Sequence, residues 1–515
     1  MVPAFRNEAL TDFTRPEARV RMEEALARVE ARLGGEYPLI IGGRPRNRAE
    51  AVVSRDPCAP DRTVGRVARA SRQDAEDALQ AAWAAYADWR RAPAGARARI
   101  LWRAASIMRR RRSDLAAWEV FEVAKTWAEA DADVAEAIDF LEYYGRQMAD
   151  LAGPRLLCAS DGEENELTYL PLGAGLVVPP WNFPLAITTG MTAAAIVTGN
   201  TVVLKPSSVA PVVAAQLVDV LREAGLPPGV VNFLPGPGAE VGGHLVSHPR
   251  TRFVCFTGSR EVGTAIHAAA GQVAPGQRWL RRVVAEMGGK DAIIVDEDAD
   301  LDAAAAAVVA SAFGFQGQKC SACSRLIGVG RAYRPLVDLV AERTAALRMG
   351  PARDPRTDVA AVASADQHRR ILDYVRIGRG EGRLVCGGAP GDTSGYYVQP
   401  TIFADVAAGA RIAREEIFGP VLACTPADTF EAALALANDS EYGLTGGVFS
   451  RSRAHLERAR EGFDVGNLYF NRKCTGALVG AQPFGGFRMS GTDSKAGGPD
   501  YLLLFTQAKV VTERF

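Results

Sequence analysis

Histidine is scarce in this chain, with five in 515 residues, and eight cysteines are spread thinly along it. So few imidazoles argue against a metal centre built on clustered histidines, and no metal is expected. Cysteines so dispersed do not form a disulfide framework, and a reducing compartment would keep them as thiols. A cysteine that matters here must therefore act through its sulfur. Net charge is also lacking: sixty Lys and Arg are cancelled by sixty Asp and Glu, and no basic run is interleaved with aromatics. Nucleic acid is not an expected partner. The longest apolar runs, such as Ala303 to Ala310, fall well short of the roughly 20 residues of a membrane span. The first residues, MVPAFRNEALTDF, lack a charged-then-apolar signal, and Glu8, Asp12 and Glu17 are foreign to an acid-poor transit peptide. The expectation is a cytoplasmic enzyme or binding protein acting on a small molecule.

What is present is abundant apolar sequence, 48% of the chain, enough for three or four domains at roughly 150 residues each. Apolar residues recur at helical spacing from Pro16 to Gly34, predicting an amphipathic surface helix. Ser71 to Asp150 continues as mostly helix, rich in Ala, Leu and Arg. At Gly173 the character changes. GAGLVVPPWNFP reads as a buried strand ended by a Pro-rich turn, followed by an Ala-rich helix and the strand TVVLKP. Helix 211–224, strand VVNFL, a Gly-rich turn with a helix, strand RFVCFTGS and another helix complete the series. Such alternation implies right-handed crossovers and a parallel sheet, so 173–285 is expected to be a doubly wound nucleotide-binding unit. A second α/β series starts near Glu286 with strand AIIVD, helix 301–314, strand RLIGVG and helix 333–347. Two such lobes leave a cleft between them. The alternating ends 166–172 and 501–513 are expected to pair into a small separate sheet suited to self-association.

Three residues stand out chemically. Cys320, in FGFQGQKCSACSR, follows Gly314 and Gly317 directly after an apolar helix, where the backbone can turn sharply and expose the sulfur. Three readings compete: a buried structural thiol, a CxxC redox or zinc pair with Cys323, and a nucleophile. No second CxxC or nearby histidine completes a zinc site. A nucleophile needs a base and an oxyanion donor. Glu286, in AEMGGK, is flanked by Ala285 and Met287, so partial burial would raise its proton affinity and suit it to the role of base. Asn182, in PPWNFP, is held between aromatics and prolines with an amide able to stabilise an oxyanion. Other motifs fail. Asp296, Asp298 and Asp300 lack the glycine and glutamate of a calcium loop and are expected to start the next helix. His244 and His248 stand four apart without the glutamate of a zinc protease, GGK at 288–290 is not a phosphate loop, and no GxSxG occurs.

Taken together, PWNFP (180–184), FTGS (256–259), EMGGK (286–290), GQKC (317–320), EEIFGP (415–420) and PFGGF (483–487) resemble the aldehyde dehydrogenase superfamily, in its order and spacing over nearly the whole chain. The resemblance implies an α/β fold with a Rossmann-type NAD-binding domain (1–152 and 173–285), an α/β catalytic domain (286–485) and a small β oligomerisation sheet (153–172 and 498–515). It implies Cys320 as nucleophile, Asn182 as oxyanion donor and Glu286 as general base. It places Pro180, Trp181, Lys205, Ser208, Gly238, Gly258, Ser259, Glu416 and Phe418 around the cofactor.

The glycines Gly236, Gly238 and Gly242 depart from the GxGxxG spacing, as the resembled family also does. Ser208 stands where many NAD-preferring relatives carry an acid that repels a 2′-phosphate, so NAD is the expected cofactor with NADP open. SAFGFQGQKCSACSR, NLYFNRKCTGALVGAQPFGGF and AEAIDFLEYYGRQM resemble the 1-pyrroline-5-carboxylate dehydrogenase branch of the family. That branch implies Ser321, Gly476 and Ala477 at the substrate carboxylate and Phe183 and Phe484 along its stem. Small residues at 476 and 477 leave backbone N–H groups free to bind an anion. Retention of Glu286 argues against an acylating enzyme that passes its thioester to coenzyme A, and retention of both Cys320 and Glu286 argues against a catalytically silent relative.

Overall fold

Apolar runs bounded by glycine and proline pair as two seven-stranded sheets. In the computed structural model, which describes residues 3–515, the first sheet runs in space Arg282–Glu286, Phe253–Thr257, Ala174–Val178, Thr201–Leu204, Val231–Phe233, Leu39–Ile41, Arg44–Arg46. The first five strands are parallel, and the last two form an antiparallel hairpin on the Val231–Phe233 edge. Period-two alternation sorts the side chains between two cores. Leu176, Val203 and Val254 pack with Ala75, Ala78 and Leu79 of helix Arg72–Trp89. Val177, Val202 and Leu204 face the opposite core with Ile138, Leu141 and Ile196 of helices Trp127–Leu151 and Ala186–Val197. Being covered on both faces, a parallel sheet keeps its strands apolar throughout.

The second sheet has the order Arg383–Cys386, Thr401–Ala404, Val421–Ala427, Cys323–Val329, Asp291–Val295, Thr445–Phe449, Asn467–Phe470, parallel except for its first strand. A third, antiparallel sheet joins Glu163–Pro171 to Thr506–Arg514 over nine residue pairs, from Thr506 opposite Pro171 to Arg514 opposite Glu163, with Arg155–Leu156 on its other edge. Leu156, Val510, Val511 and Phe515 of this flap are exposed. No helix among the described residues is long and apolar enough to cross a membrane.

Strands at 35–68 and at Arg282–Glu286 carry no clear signal in the sequence, because they are short, charged at alternate positions, or stabilised only by the neighbour they join. Glu286 is the last residue of an edge strand of the first sheet, paired with Thr257, at the junction from which the second α/β series runs on. Of the three aspartates before helix Leu301–Phe313, Asp300 caps the helix at the Ala303 N–H, whereas Asp296 and Asp298 hold Ser450. His244 and His248 find a carboxylate in Glu76, 2.6 and 3.2 Å from their Nε2 atoms. The Arg250 N–H donates to Nδ1 of His248, so the Nε2 proton of that ring is directed at Glu76 and the trio ties helix Gly243–Ser247 to helix Arg72–Trp89 by hydrogen bonds.

One ion cluster is wholly buried beneath the PPWNFP turn. Lys125 follows Ala124, a left-handed helix end, and its ammonium meets the carboxylates of Asp133 and Glu119. Burial pulls the lysine pKa down, but the two carboxylates outweigh it and the net shift is upward. The other oxygen of Asp133 accepts the Ala186 N–H at 2.7 Å, at the start of the helix that leaves the turn. The same ammonium lies 4.3 Å from the Phe183 ring centre and 5.1 Å from that of Phe315. Lys125→Met strands buried carboxylates and is expected to cost about 3–5 kcal/mol in urea unfolding. The double variant Lys125→Met with Asp133→Asn should recover much of that loss, and equal losses in the two would contradict the ion-pair account.

Candidate active site

The nucleophile loop is built from backbone that few sequences tolerate. After helix Leu301–Phe313 the chain passes through Phe315, Gln316 and Gly317 with φ of 48°, 56° and 66°. Left-handed conformation costs non-glycine residues roughly 1–2 kcal/mol each, and the neighbourhood supplies the restraint. Gln316 Nε2 donates to the carbonyls of Ala124 (3.3 Å) and Ala361 (3.2 Å), and Gln318 Oε1 accepts from the Ala363 N–H at 2.9 Å. Gly317 is obligatory: a Cβ there would lie 2.4 Å from the Gly419 carbonyl. Cys320 emerges half-buried at the end of this turn.

The six sequence blocks converge here. Buried Asn182 donates its Nδ2 to the Gln318 carbonyl at 3.0 Å, so one amide hydrogen locks the turn from the first lobe to the loop of the second, leaving the other available. A Cβ on Gly289 would lie 2.4 Å from the Cys320 carbonyl, and one on Gly288 would lie 2.2 Å from the Glu416 carboxylate. The paired glycines of EMGGK thus let the nucleophile and Glu416 close in from opposite sides. The Gly289 N–H donates to Glu416 Oε1 at 3.2 Å. Glu286 takes a 2.5 Å hydrogen bond from Ser494 Oγ and a 3.3 Å bond from the Gly486 N–H, while its carbonyl accepts the Gly258 N–H at 3.1 Å. Trp181 and Phe418 meet edge to face with ring centres 5.4 Å apart, as do Phe183 and Phe315 at 6.5 Å.

The electrostatics oppose ionisation of every acid in this cleft. Burial is the largest effect on Cys320, and the carboxylates of Asp291, Glu416 and Glu286 add to it, holding the thiol far above its usual range. Burial raises Glu286 to about 8, against the lowering effect of Ser494, the Gly486 N–H and Lys495. Glu416 is raised by burial to about 7. A dinucleotide cradle fits the remaining groups. Lys205, lowered to about 8 by burial, spends two of its three donors on the carbonyls of Pro206 (3.1 Å) and Gly236 (3.2 Å) and keeps one for a sugar hydroxyl. Ser259 caps helix Arg260–Gly271, whose first N–H groups suit a pyrophosphate. Gly238 opens a π-helical turn and has no atom within 4 Å of where a Cβ would sit, and Ser208 is exposed near Lys205. Half-buried Pro180 begins the turn beside them.

On the substrate side, Ser321 is buried, and its carbonyl accepts from the Cys474 thiol at 3.4 Å. Cys474 therefore supports the loop from behind without entering the pocket. Gly476 adopts φ 75°, with Ala477 following it, and Phe484 is bridged to Ala496 by two backbone hydrogen bonds. Sequence reasoning passed over Ser494, Lys495, Gln318 and the pair Lys319–Glu129, 2.7 Å apart. Those in the loop 490–495 have ordinary polar character, and only the return of the chain past Glu286 gives them a role.

The aldehyde dehydrogenase family pattern matches residues 45–511. The chain belongs to the aldehyde dehydrogenase family. A 1-pyrroline-5-carboxylate dehydrogenase of Geobacillus sp. (strain WCH70) is 56% identical over 515 residues, all of both chains. The crystal structure of 1-pyrroline-5-carboxylate dehydrogenase from Thermus with bound NAD superposes with a TM-score of 0.99 at 54% identity, again over all of both chains. Proline utilization A (PutA) from Bdellovibrio bacteriovorus is similar to this chain at 44% identity and a TM-score of 0.98, over 99% of this chain and 53% of its own.

With Glu286 proposed as the base, a value near 8 would make the hydrolytic step pH-sensitive in a defined direction. Only the carboxylate form of Glu286 accepts a proton, so the hydrolysis rate should fall about tenfold per pH unit below about 8 and level off above it. Glu286→Gln should remove that limb and slow hydrolysis by about 10²–10⁴-fold. A rate of thioester decay independent of pH between about 6 and 9 would contradict the assignment.

Proposed function

We propose that the protein oxidises L-glutamate γ-semialdehyde, the open form of 1-pyrroline-5-carboxylate, to L-glutamate with NAD, the second step of proline degradation. The reading is supported by one observation above the others: Asn182 reaches the Cys320 loop at Gln318, Cys474 of the Gly476–Ala477 turn reaches it at Ser321, and Glu286 acts electrostatically on Cys320, in a chain similar throughout to enzymes of that name. Bound NAD would supply the hydride acceptor, held by Lys205, Ser259 and Glu416 with Trp181, Gly238, Gly258 and Phe418 against it.

The residues then act in sequence. The Cys320 thiol gives its proton to solvent water, and the sulfur adds to the aldehyde carbon while the carbonyl electrons move to oxygen. That oxyanion is met by the free Asn182 amide hydrogen and the Cys320 N–H. Its collapse returns the electron pair to the C–O bond and expels the aldehyde hydrogen with two electrons, leaving an acyl thioester on Cys320. Glu286 takes a proton from water as the water adds to the thioester, and the sulfur departs as thiolate. The balance is one aldehyde and one water consumed, and one carboxylic acid, one hydride and one solvent proton formed. The substrate's own carboxylate rests on Ser321 and the N–H groups of Gly476 and Ala477, with Phe183 and Phe484 beside the stem.

The nucleotide-binding part is assigned to 1–152 and 173–285, the catalytic part to 286–485 and the flap to 153–172 and 498–515. The exposed apolar residues of the flap support assembly of identical chains into a dimer or larger oligomer. Eight unpaired cysteines favour a reducing, cytoplasmic setting.

Cys320→Ala should abolish NADH formation while NAD binding, read by protein fluorescence, persists. The parent enzyme should prefer glutamate semialdehyde over simple and aromatic aldehydes and ignore added coenzyme A. Preference for aldehydes without a carboxylate would overturn the substrate assignment. NAD should exceed NADP in kcat/KM, and a preference for NADP of more than about tenfold would overturn the cofactor assignment.

A further inference from the structure

The turn that carries Gly476 and Ala477 has no regular secondary structure to aim its N–H groups, and the structure shows one side chain that does. Arg472 follows strand Asn467–Phe470 by two residues. Its guanidinium lies 4.4 Å from the ring centre of Tyr469, stacked over it. Its Nε donates to the Lys473 carbonyl at 3.2 Å, and its Nη2 donates to the carbonyls of both Thr475 (3.0 Å) and Gly476 (3.3 Å). No peptide bond among the described residues is cis, and in a trans peptide the C=O and N–H point to opposite sides. Two successive carbonyls gathered onto one nitrogen therefore send the N–H groups of Gly476 and Ala477 away from it, to a common side. Among the described residues neither N–H is donated to another backbone carbonyl. The left-handed φ of 75° at Gly476 is the conformation in which successive N–H groups form an anion-binding concavity. Two residues earlier, Cys474 touches the Ser321 carbonyl, so this concavity is built beside the nucleophile loop. Lys473 adds charge at the same place, its Nζ lying 3.4 Å from where a Gly476 Cβ would sit.

We infer that Arg472 is a positioning residue for substrate selection: by holding the Thr475 and Gly476 carbonyls from behind, it presents the N–H pair to a carboxylate on the aldehyde substrate. The inference rests on the substrate reading above and adds to it the residue that sets the geometry. The planar guanidinium, stacked on Tyr469 and tied through Nε to the Lys473 carbonyl, fixes Nη2 where both carbonyls reach it, whereas an ammonium on a flexible stem has neither restraint.

The test compares kinetics of the parent, Arg472→Gln and Arg472→Lys with glutamate semialdehyde and with propanal, an aldehyde without a carboxylate. Arg472→Gln should raise KM for glutamate semialdehyde by about 10- to 100-fold with kcat nearly kept, and leave kcat/KM for propanal unchanged, which also reports that the variant is folded. Arg472→Lys should recover only a minor part of the loss. Equal losses on both aldehydes would assign Arg472 a merely structural role, and full recovery in Arg472→Lys would assign it a role as a charge; either overturns the inference. A parent that prefers glutamate semialdehyde beside an Arg472→Gln variant with unaltered KM overturns the inference alone. A parent with no preference for the carboxylate overturns the substrate reading on which it stands.

Discussion

The hydrogen bond from the Asn182 amide to the Gln318 carbonyl is the link on which the architecture of the site depends. It joins a proline-bounded turn of the first lobe to a strained loop of the second, and so sets two groups that must meet at one substrate carbon. The loop cannot hold its left-handed run unaided. Gln316 and Gln318, both buried, anchor it to segments distant in sequence, and glycines at 288, 289 and 317 remove the atoms that would keep neighbouring backbone apart. Strain persists because surrounding contacts over-determine it.

Beneath that link lies an electrostatic choice. Burial and the nearby carboxyl groups of Asp291, Glu416 and Glu286 push the Cys320 thiol above its usual range. Carboxylates in the same space lose affinity for charge: Glu286 and Glu416 are raised together. A glutamate raised to about 8 would be a stronger base toward water than an ordinary one, at the cost of being mostly protonated at neutral pH.

Much of this was legible in the sequence, for physical reasons that differ by segment. The buried parallel strands at 174–178, 201–204 and 291–295 are apolar because both their faces are covered, and such runs between glycines announce themselves. The hairpin 39–46 does not, since its pairing is with a strand some 190 residues later and its own propensity is weak. The proposed trio Cys320, Asn182 and Glu286 stands out in the sequence because each member sits in a block with unusual proline, glycine or aromatic flanks. Ser494, Lys495 and Arg472 were not, because a serine, a lysine or an arginine in a loop reads as solvated until the chain folds it against Glu286 or against its own carbonyls.

The pairing of strand 506–514 with 163–171 spans more than three hundred residues, and Ser494 reaches back to Glu286 over two hundred. On the ribosome, the nucleotide lobe is made before the segments that brace Glu286 and close the flap. A chain released prematurely would therefore carry its cysteine and cofactor cradle without a supported base or a completed flap. The order of the chain thus makes support of Glu286 depend on residues more than two hundred positions downstream of it.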